Sequence, residues 1–366
     1  NSTAKFNATF NGAGFTISNV NLPGNASDST NVGMFGYIGA TGTVKNFNVN
    51  TATVTGNQYV GTIAGYADSG SKISNVVATN VSVTGGGSNI GGVVGRTDGT
   101  VSKTAVKGTS TIQSTANSAS VNVGGIAGYA YGYTATPGIV EQSETASTVT
   151  VRDTQASATN VGGVIGYTNC NALGALTVRN NYSLASVSSG AGNVGGIIGA
   201  TGWAEYVQYN YFAGTANHTG GATNEGGIVG SKSGNTTLTD NYYDATVCAS
   251  ASSNCASTEL AMARGLTTTQ MQSVGTYLRT GNWDFVTAWT TPGQVYTGQY
   301  PTLQWEAGQS AFSPSYAGGD GSAANPFQIS TVNQLYSLML DGSRWTASMN
   351  FALTADRKST RLNSSH

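Results

Sequence analysis

Short apolar stretches broken by glycine and asparagine recur along most of the chain. Five begin at Asn89, Asn122, Asn160, Asn193 and Asn224 and read NIGGVVG, NVGGIAG, NVGGVIG, NVGGIIG and NEGGIVG. Looser copies, NVGMFG and YVGTIAG, begin at Asn31 and Tyr59. The first glycines of the seven copies are 28, 30, 33, 38, 33 and 31 residues apart. A period near 30 that tolerates insertions predicts a protein of stacked repeats.

The segments between the glycine motifs predict strands that end in corners. VKNFNV, ISNVVA, VRNNYSLASV, VQYNYFAGT and LTDNYYDATV combine β-branched or aromatic residues with a central polar residue, mostly asparagine. Such residues favour strands and turns, and no apolar stripe of helical period runs through the repeats. We therefore predict an all-β fold, a parallel β-solenoid of about seven coils, expected to be a right-handed β-helix.

The glycine motif itself predicts a bend. Val123 and Ile126 are three residues apart, so a straight strand would point them to opposite faces of the sheet. A bend or bulge at the Gly-Gly pair would turn both side chains inward. Because glycine in a strand costs about 0.5–1 kcal/mol relative to alanine, its repetition indicates a backbone need that only glycine meets.

Two short helices are expected after the repeats. Thr331 with Gln334, and Thr267 with Gln270, have the spacing of a capping box at a helix start. Leu335, Leu338 and Met339 supply an apolar face for the first of these helices. We therefore predict a mixed α/β capping region C-terminal to the solenoid.

The motif V-G-G-[IV]-x-G at this spacing resembles the GLUG repeat of large bacterial secreted and cell-surface proteins. These include adhesins and the non-catalytic regions of immunoglobulin A peptidases. GLTTTQMQ, NWDF and YPTLQW resemble the segment that closes such a block, and the sequence from Gly318 resembles the opening of a second block. The resemblance implies an exported scaffold with no shared catalytic residues.

These features divide the chain into four parts. Residues 1–247 form the predicted solenoid, 248–312 a closing segment, and 313–355 the start of a second repeat block. Residues 356–366, DRKSTRLNSSH, match the translation of a common sequencing-library adapter and are expected to be non-native. We expect the chain to be a fragment whose signal peptide and natural N-terminus are missing.

Composition and charge limit the classes of binding partner that the sequence predicts. Only 8% of the residues are charged and the formal net charge is −1, so no basic surface for nucleic acid is predicted. The sequence has no run of about 20 apolar residues, so no membrane-spanning helix is predicted. GAGNVG at Gly190 fits the dinucleotide-binding pattern G-x-G-x-x-G, but another strand segment follows it instead of a helix, so it is interpreted as part of the repeat. No metal and no cofactor are expected. An extracellular or cell-surface location is expected, with glycans or host surface proteins as partners.

One position changes from coil to coil in a register-matched way. The residue after the last glycine of the motif is Tyr37, Tyr66, Arg96, Tyr129 or Tyr167, and an insertion adds Tyr131 and Tyr133. We predict a column of these side chains. A plain stabilising ladder is the favoured interpretation, and a glycan or peptide platform is the alternative if the flat faces are exposed. The asparagines that begin the motifs predict a structural stack of amides.

The acidic residues allow a different function. Asp68 and Asp98 each lie seven residues after a motif glycine, so stacking would bring them about 5 Å apart, near Arg96. A polysaccharide-degrading β-helix enzyme using these residues is the alternative hypothesis, but turns in which each aspartate bonds its own backbone are the favoured interpretation of YADSG and RTDGT. Ice binding by threonine rows is a weaker idea, since the T-x-T pairs at Thr51, Thr109 and Thr148 do not share one register.

The three cysteines predict one bridge. Cys248 and Cys255 enclose a short loop, and in an exported protein we expect a disulfide between them. Cys170 is expected to be a small structural side chain. Together, the sequence predicts a non-catalytic structural or adhesive module of a large exported surface protein.

Overall fold

The structure is a computed structural model that describes residues 4–25, 30–116, 120–155, 159–218, 224–248, 263–278, 283–290, 299–306, 314–341 and 344–354. It divides into two compact units, residues 1–271 and 272–366. The first unit is a parallel β-solenoid, as predicted. It has seven described coils. Each coil contributes one strand to each of two seven-stranded sheets, and further strands to a third sheet.

Sheet 1 contains the strands that follow the glycine bend of each coil. All its pairings are parallel and in the register of the repeat. Its strands are Phe35–Ile38, Ala64–Ala67, Val94–Thr97, Ala127–Gly132, Ile165–Cys170, Ile198–Thr201 and Val229–Ser231.

Sheet 2 contains the strands that precede the glycine bend. Its strands are Thr30–Val32, Gln58–Gly61, Asn89–Gly91, Val121–Gly124, Thr159–Gly162, Gly192–Gly195 and Asn224–Gly226. The predicted bend is confirmed, because Val123 ends up in sheet 2 and Ile126 in the bend before sheet 1, with both side chains fully buried in the core.

The motif glycines are required by close packing. A Cβ added at Gly125 would lie 2.2 Å from the carbonyl oxygen of Gly163 in the next coil. A Cβ at Gly128 would lie 2.4 Å from the backbone nitrogen of Ile90 in the preceding coil. Neither glycine has a positive φ, so the conformational freedom of glycine is not what these positions need. Its missing side chain lets neighbouring backbones approach.

Sheet 3 has eighteen strands and forms the remaining wall of the solenoid. Its strands are Thr9–Asn11, Thr16–Pro23, Thr43–Gly56, Lys72–Gly85, Thr100–Lys107, Ser110–Ser114, Gly138–Glu141, Glu144–Thr145, Val149–Asp153, Leu176–Arg179, Tyr182–Ser183, Ser186–Ser189, Tyr206–Gln208, Tyr211–Phe212, Thr215–His218, Thr237–Thr239, Asn241–Asp244 and Ala263–Leu266. The core enclosed by the three sheets consists mainly of valine, isoleucine and alanine.

A corner within sheet 3 places one residue of each coil in the left-handed region of backbone conformation. Asparagine tolerates this region better than most residues, which accounts for Asn46, Asn75 and Asn180 in the segments between the glycine motifs. The residues at this corner, with φ between 48° and 58°, are Asn46, Asn75, Lys103, Gln142, Asn180, Tyr209 and Asp240.

The asparagine column of sheet 2 is confirmed as a ladder of amides. Each amide nitrogen donates to the amide oxygen of the preceding coil at 2.7 or 2.8 Å. Tyr59 interrupts the column in the second coil and separates Asn31 from the continuous part. The bonded residues are Asn89, Asn122, Asn160, Asn193 and Asn224.

Four helices occur among the described residues, all C-terminal to the seventh glycine motif. In the first unit, α1 spans Ala245–Cys248 and α2 spans Thr268–Met271, and in the second unit α3 spans Val274–Leu278 and α4 spans Val332–Leu340. The capping box at Thr331 and Gln334 is present, and Thr267 and Gln270 exchange the same pair of bonds before α2. A two-stranded parallel sheet, Phe327–Ile329 with Phe351–Leu353, accompanies α4.

The predicted boundaries at 247/248 and 312/313 stay predictions, as does the handedness of the solenoid. The predicted adapter-derived tail, residues 356–366, lies outside the described residues.

Candidate functional site

The predicted column lies along sheet 1. Its members pair directly from strand to strand through the first five coils, and each side chain is half-buried. The column consists of Tyr37, Tyr66, Arg96, Tyr129 and Tyr167, and Ala200 and Ser231 continue its register in the sixth and seventh coils.

The flat faces in the column cover one another. The rings of Tyr37 and Tyr66 have centroids 4.7 Å apart, and those of Tyr129 and Tyr167 stack at 5.5 Å with an interplanar angle of 16°. Arg96 fills the gap, with its guanidinium 5.1 Å from the Tyr66 centroid and 5.0 Å from that of Tyr129. Aromatic and cation–π contacts of this kind stabilise neighbouring strands. The geometry therefore supports a stabilising ladder whose ring faces are covered by their neighbours.

The Asp98 carboxylate holds the Arg96 guanidinium in place. Asp98 is fully buried and accepts two hydrogen bonds from Arg96, at 2.9 Å from Nε and 3.0 Å from Nη2. The Tyr66 hydroxyl of the preceding coil donates to the same carboxylate at 2.6 Å. A bidentate pair of this kind fixes the orientation of the guanidinium.

The preceding coil repeats this arrangement. The Tyr37 hydroxyl donates to Asp68 at 3.2 Å, and the Lys5 ammonium donates to the same carboxylate at 2.8 Å. Lys5 lies over the Tyr37 ring, 4.5 Å from its centroid. Hydrogen bonding to Asp68 and then to Tyr37 raises the pKa of Lys5 above its usual value, so its ammonium stays charged at neutral pH.

Asp68 and Asp98 therefore each form a salt bridge with a different cation, Lys5 and Arg96 respectively. A glycosidase needs two accessible carboxyl groups flanking a substrate. Asp98 has no exposed surface, and both its oxygens accept bonds from Arg96 and Tyr66. Asp68 is partly exposed but paired with Lys5. The geometry gives no support to an acid–base pair of Asp68 and Asp98, and the question of enzymatic activity stays open to experiment.

The insertion of the fourth coil extends the aromatic surface. The Tyr131 ring lies 6.2 Å from that of Tyr129 and 5.9 Å from the Arg96 guanidinium, and Tyr133 packs on Tyr131 at 4.7 Å. Further along the same loop, the Thr136 hydroxyl contacts that of Ser69, two coils earlier. The loop therefore links the fourth coil to the second, across the coil that carries Arg96.

Burial shapes the titration of the tyrosines. Burial first, and then the hydrogen bond to Asp98, raise the pKa of Tyr66 well above its ordinary value of 10.0. Burial also raises the pKa of Tyr129 and Tyr167. These phenols are therefore hydrogen-bond donors at neutral pH.

A buried contact between a histidine and a carboxyl group in the last two coils was not predicted from the sequence. Glu225 occupies the core position held by Val194 in the neighbouring strand, and His218 bonds to it through Nδ1 at 2.5 Å. The other ring nitrogen of His218 lies 2.8 Å from the carbonyl oxygen of Gly192. The signal was present in the sequence, because NEGGIVG places glutamate where the other full motifs have valine or isoleucine.

Two of the three cysteines, Cys170 and Cys248, lie among the described residues. Cys170 is a free, buried thiol, and burial raises its pKa, which suits the expected structural role. Cys248 is buried at the end of α1, but its predicted partner Cys255 lies outside the described residues. The disulfide stays a prediction.

No cluster of three or more potential metal ligands occurs within the described part of the chain. Among the same residues, no helix has the length and apolar character needed to cross a bilayer.

Comparisons with known proteins find limited similarity. No known family model matches the chain. The chain is 40% identical to halomucin from Haloquadratum walsbyi over 90 residues, which are 25% of this chain and 1% of halomucin. The match thus spans a very small part of that long protein. A candidate immunoglobulin A1 protease from Bacteroides ovatus aligns with a TM-score of 0.49 and 19% identity, over 73% of this chain and 76% of its own. The predicted GLUG-repeat membership stays a prediction.

Proposed function

We propose that this chain is a non-catalytic structural and adhesive module of a large exported surface protein. The observation that carries the proposal is the continuity of side-chain ladders through the coils. Motif asparagines bond to their equivalents one coil away, the Tyr129 ring stacks on its equivalent Tyr167, and the Tyr66 hydroxyl bonds to Asp98 of the next coil. Polar groups used in this way hold a rod together, whereas a catalytic site needs them to converge on one substrate.

The similarity to halomucin supports a setting within a much longer chain, because the matched residues are only 1% of that protein. The low charge of the module, with 8% charged residues, fits a spacer that avoids strong electrostatic partners. The extracellular or cell-surface location and the glycan or host-protein partners are part of this proposal.

Within this function, the column from Tyr37 to Tyr167 acts first as a stabilising ladder. Its side chains are only half-buried, so its members remain binding candidates through their exposed parts. Replacing Tyr129 by alanine would remove both the ring and the hydroxyl, whereas Tyr129→Phe would remove only the hydroxyl. Loss of ligand binding in both variants would assign a direct role to the hydroxyl.

The absence of catalysis is tested by incubating the purified chain with a polysaccharide panel and measuring new reducing ends and unsaturated products. We expect none above the level of a heat-unfolded sample. An activity that is present in the native chain and lost in Asp68→Asn with Asp98→Asn would overturn the proposal. The double variant is checked by circular dichroism, so that loss of fold is distinguished from loss of chemistry.

A further inference from the structure

The corner after sheet 1 exposes apolar side chains in two consecutive coils. Leu173 is 60% exposed in the fifth coil and Trp203 is 45% exposed in the sixth. The two turns are adjacent, because the backbone nitrogen of Gly174 donates to the carbonyl oxygen of Ala204 at 2.9 Å. Within the described part of the molecule, the Trp203 indole has neither a ring contact nor a hydrogen-bond acceptor for its Nε1. This differs from the sheet 1 column, whose ring faces are covered.

The backbone beneath this indole is held rigidly. Glu205 is fully buried, and its Oε1 accepts from the backbone nitrogens of Gly202 at 3.3 Å and Trp203 at 3.4 Å. Its Oε2 accepts from the Thr236 hydroxyl at 2.6 Å. The carboxylate is thus used to fix the turn that presents Trp203. A rigid, exposed aromatic side chain loses little conformational entropy when it binds a ligand.

The next coil packs closely against the backbone of this turn. Gly234 has φ +60, and a Cβ added there would lie 2.2 Å from the carbonyl oxygen of Trp203. The position therefore excludes side chains for two reasons, conformation and close approach. No side chain can grow from this residue toward Trp203.

Two asparagines of the preceding coil, in the strand and the turn before Leu173, have amide nitrogens without a partner among the described residues. Asn169 stands next to Gly202, since a Cβ built on that glycine would be 2.6 Å from its Cγ. The Oδ1 of Asn169 accepts from the backbone nitrogen of Cys170 at 2.8 Å, and that of Asn171 accepts from Thr134 at 2.9 and 3.0 Å. Neither Nδ2 group has a partner among the described residues. The oxygens are fixed internally, while the nitrogens remain available as donors.

We infer that this surface, defined by Asn169, Asn171, Leu173 and Trp203 and named the Trp203 corner, binds a saccharide chain. A sugar ring has an apolar C–H face and polar hydroxyls around its edge. It therefore needs a flat aromatic or aliphatic surface bordered by planar amides, which is the set of groups present here. The inference rests on the proposed adhesive function and assigns a ligand class and a place to it.

Other macromolecules fit this surface less well. A stable protein partner buries about 800 Å² on each side around a hydrophobic centre, and two exposed apolar side chains are a small anchor for that. Apart from the buried Glu205, the only charged side chain in the described turns at residues 171–175, 202–205 and 232–236 is Lys232, whose ammonium donates to the Gly234 carbonyl at 3.5 Å. One lysine is too weak an attraction for an anionic membrane surface.

The test measures binding of xylohexaose, cellohexaose and chitohexaose to the full chain by isothermal titration calorimetry. We expect saturable binding of at least one, weakened about tenfold or more by Trp203→Ala, the range for loss of a central aromatic contact. The matched control is Trp345→Ala. Trp345 is 63% exposed, but its Nε1 donates to the Leu338 carbonyl at 2.7 Å. This variant should bind as the unchanged chain does.

Trp203→Phe keeps a flat ring and should retain part of the affinity, which separates ring contact from loss of fold. The inference is overturned if none of the three sugars binds, or if Trp203→Ala binds as tightly as Trp345→Ala. Binding confined to a protein ligand would overturn it as well. Failure here would leave the scaffold proposal standing, because that proposal fails only if the chain has a polysaccharide-degrading activity.

Discussion

Gly128 offers a direct test of why the repeat is rich in glycine. In Gly128→Ala, the new Cβ would lie 2.4 Å from the Ile90 nitrogen, 2.7 Å from the Asn89 carbonyl carbon and 2.7 Å from the Gly95 oxygen. Cβ atoms do not approach other atoms within 3.0 Å, so the first contact requires a shift of about 0.6 Å. All three obstructing atoms belong to backbone, so rotation of a side chain cannot relieve the clash.

The expected cost follows from this geometry. Overpacking of a well-packed interior costs about 1–3 kcal/mol. Replacing glycine by alanine also restricts the unfolded chain, which returns about 0.4–1 kcal/mol. We therefore expect Gly128→Ala to lower the free energy of unfolding by about 1–2.5 kcal/mol. For a unit of this size the thermal midpoint should fall by about 2–10 °C.

Gly36→Ala is the matched control, because Gly36 holds the same motif position in the first coil. There an added Cβ meets a single atom, the Asn31 oxygen, at 3.0 Å. Both variants are unfolded by heat and by urea, with circular dichroism as the signal. If Gly36→Ala lost as much stability as Gly128→Ala, the loss would not follow the backbone clash and the close-packing argument would fail.

Three further predictions concern the charged and phenolic groups. Asp98→Asn should lower the free energy of unfolding by about 2–3 kcal/mol in urea titrations, because Arg96 loses its buried counter-charge while keeping some solvent contact. The raised pKa of Tyr66 means that the folded state holds its proton more tightly, so stability should be constant below pH 10.0 and fall as the pH rises above it. Tyr66→Phe should reduce that fall in thermal midpoints measured from pH 8 to pH 11. Glu225→Val should destabilise by about 1–3 kcal/mol, because it leaves buried His218 without its carboxylate, and His218→Leu in the same chain should recover most of the loss in a double-mutant cycle.

The repeat made the solenoid predictable from sequence. Each coil has the same needs as its neighbours, so one interpretation of NVGGIAG applied to all copies, including the bend between Val123 and Ile126. The register of the column at Tyr37 and its successors followed from counting residues after each glycine. The directions of the side chains were harder to predict from the sequence. The sequence placed Asp68 and Asp98 one coil apart, but it did not show that each would bond to a tyrosine of the preceding coil.

The features missed from sequence are those where one coil departs from the rest. Glu225 replaces a core valine, and it is tolerated because His218, seven residues earlier, comes back beside it. That compensation depends on the path of one turn and has no periodic signal. The same holds for Glu205, whose buried carboxylate fixes the Trp203 turn through contacts within two or three residues and one from the next coil.

A stacked fold separates stability from recognition in a definite way. At a position repeated in every coil, each side chain finds an equivalent partner 4.7–4.9 Å away, so its hydrogen-bonding and stacking capacity is used within the rod. Asn160, which both donates and accepts in the amide ladder, is of this kind. At a position that departs from the repeat, the neighbouring coils supply no equivalent group. Trp203, between the turn containing Leu173 and the turn containing Gly234, keeps its indole face and N–H unused for that reason. Ligand binding by such a rod should therefore concentrate where the repeat is broken and the backbone beneath is still held by it.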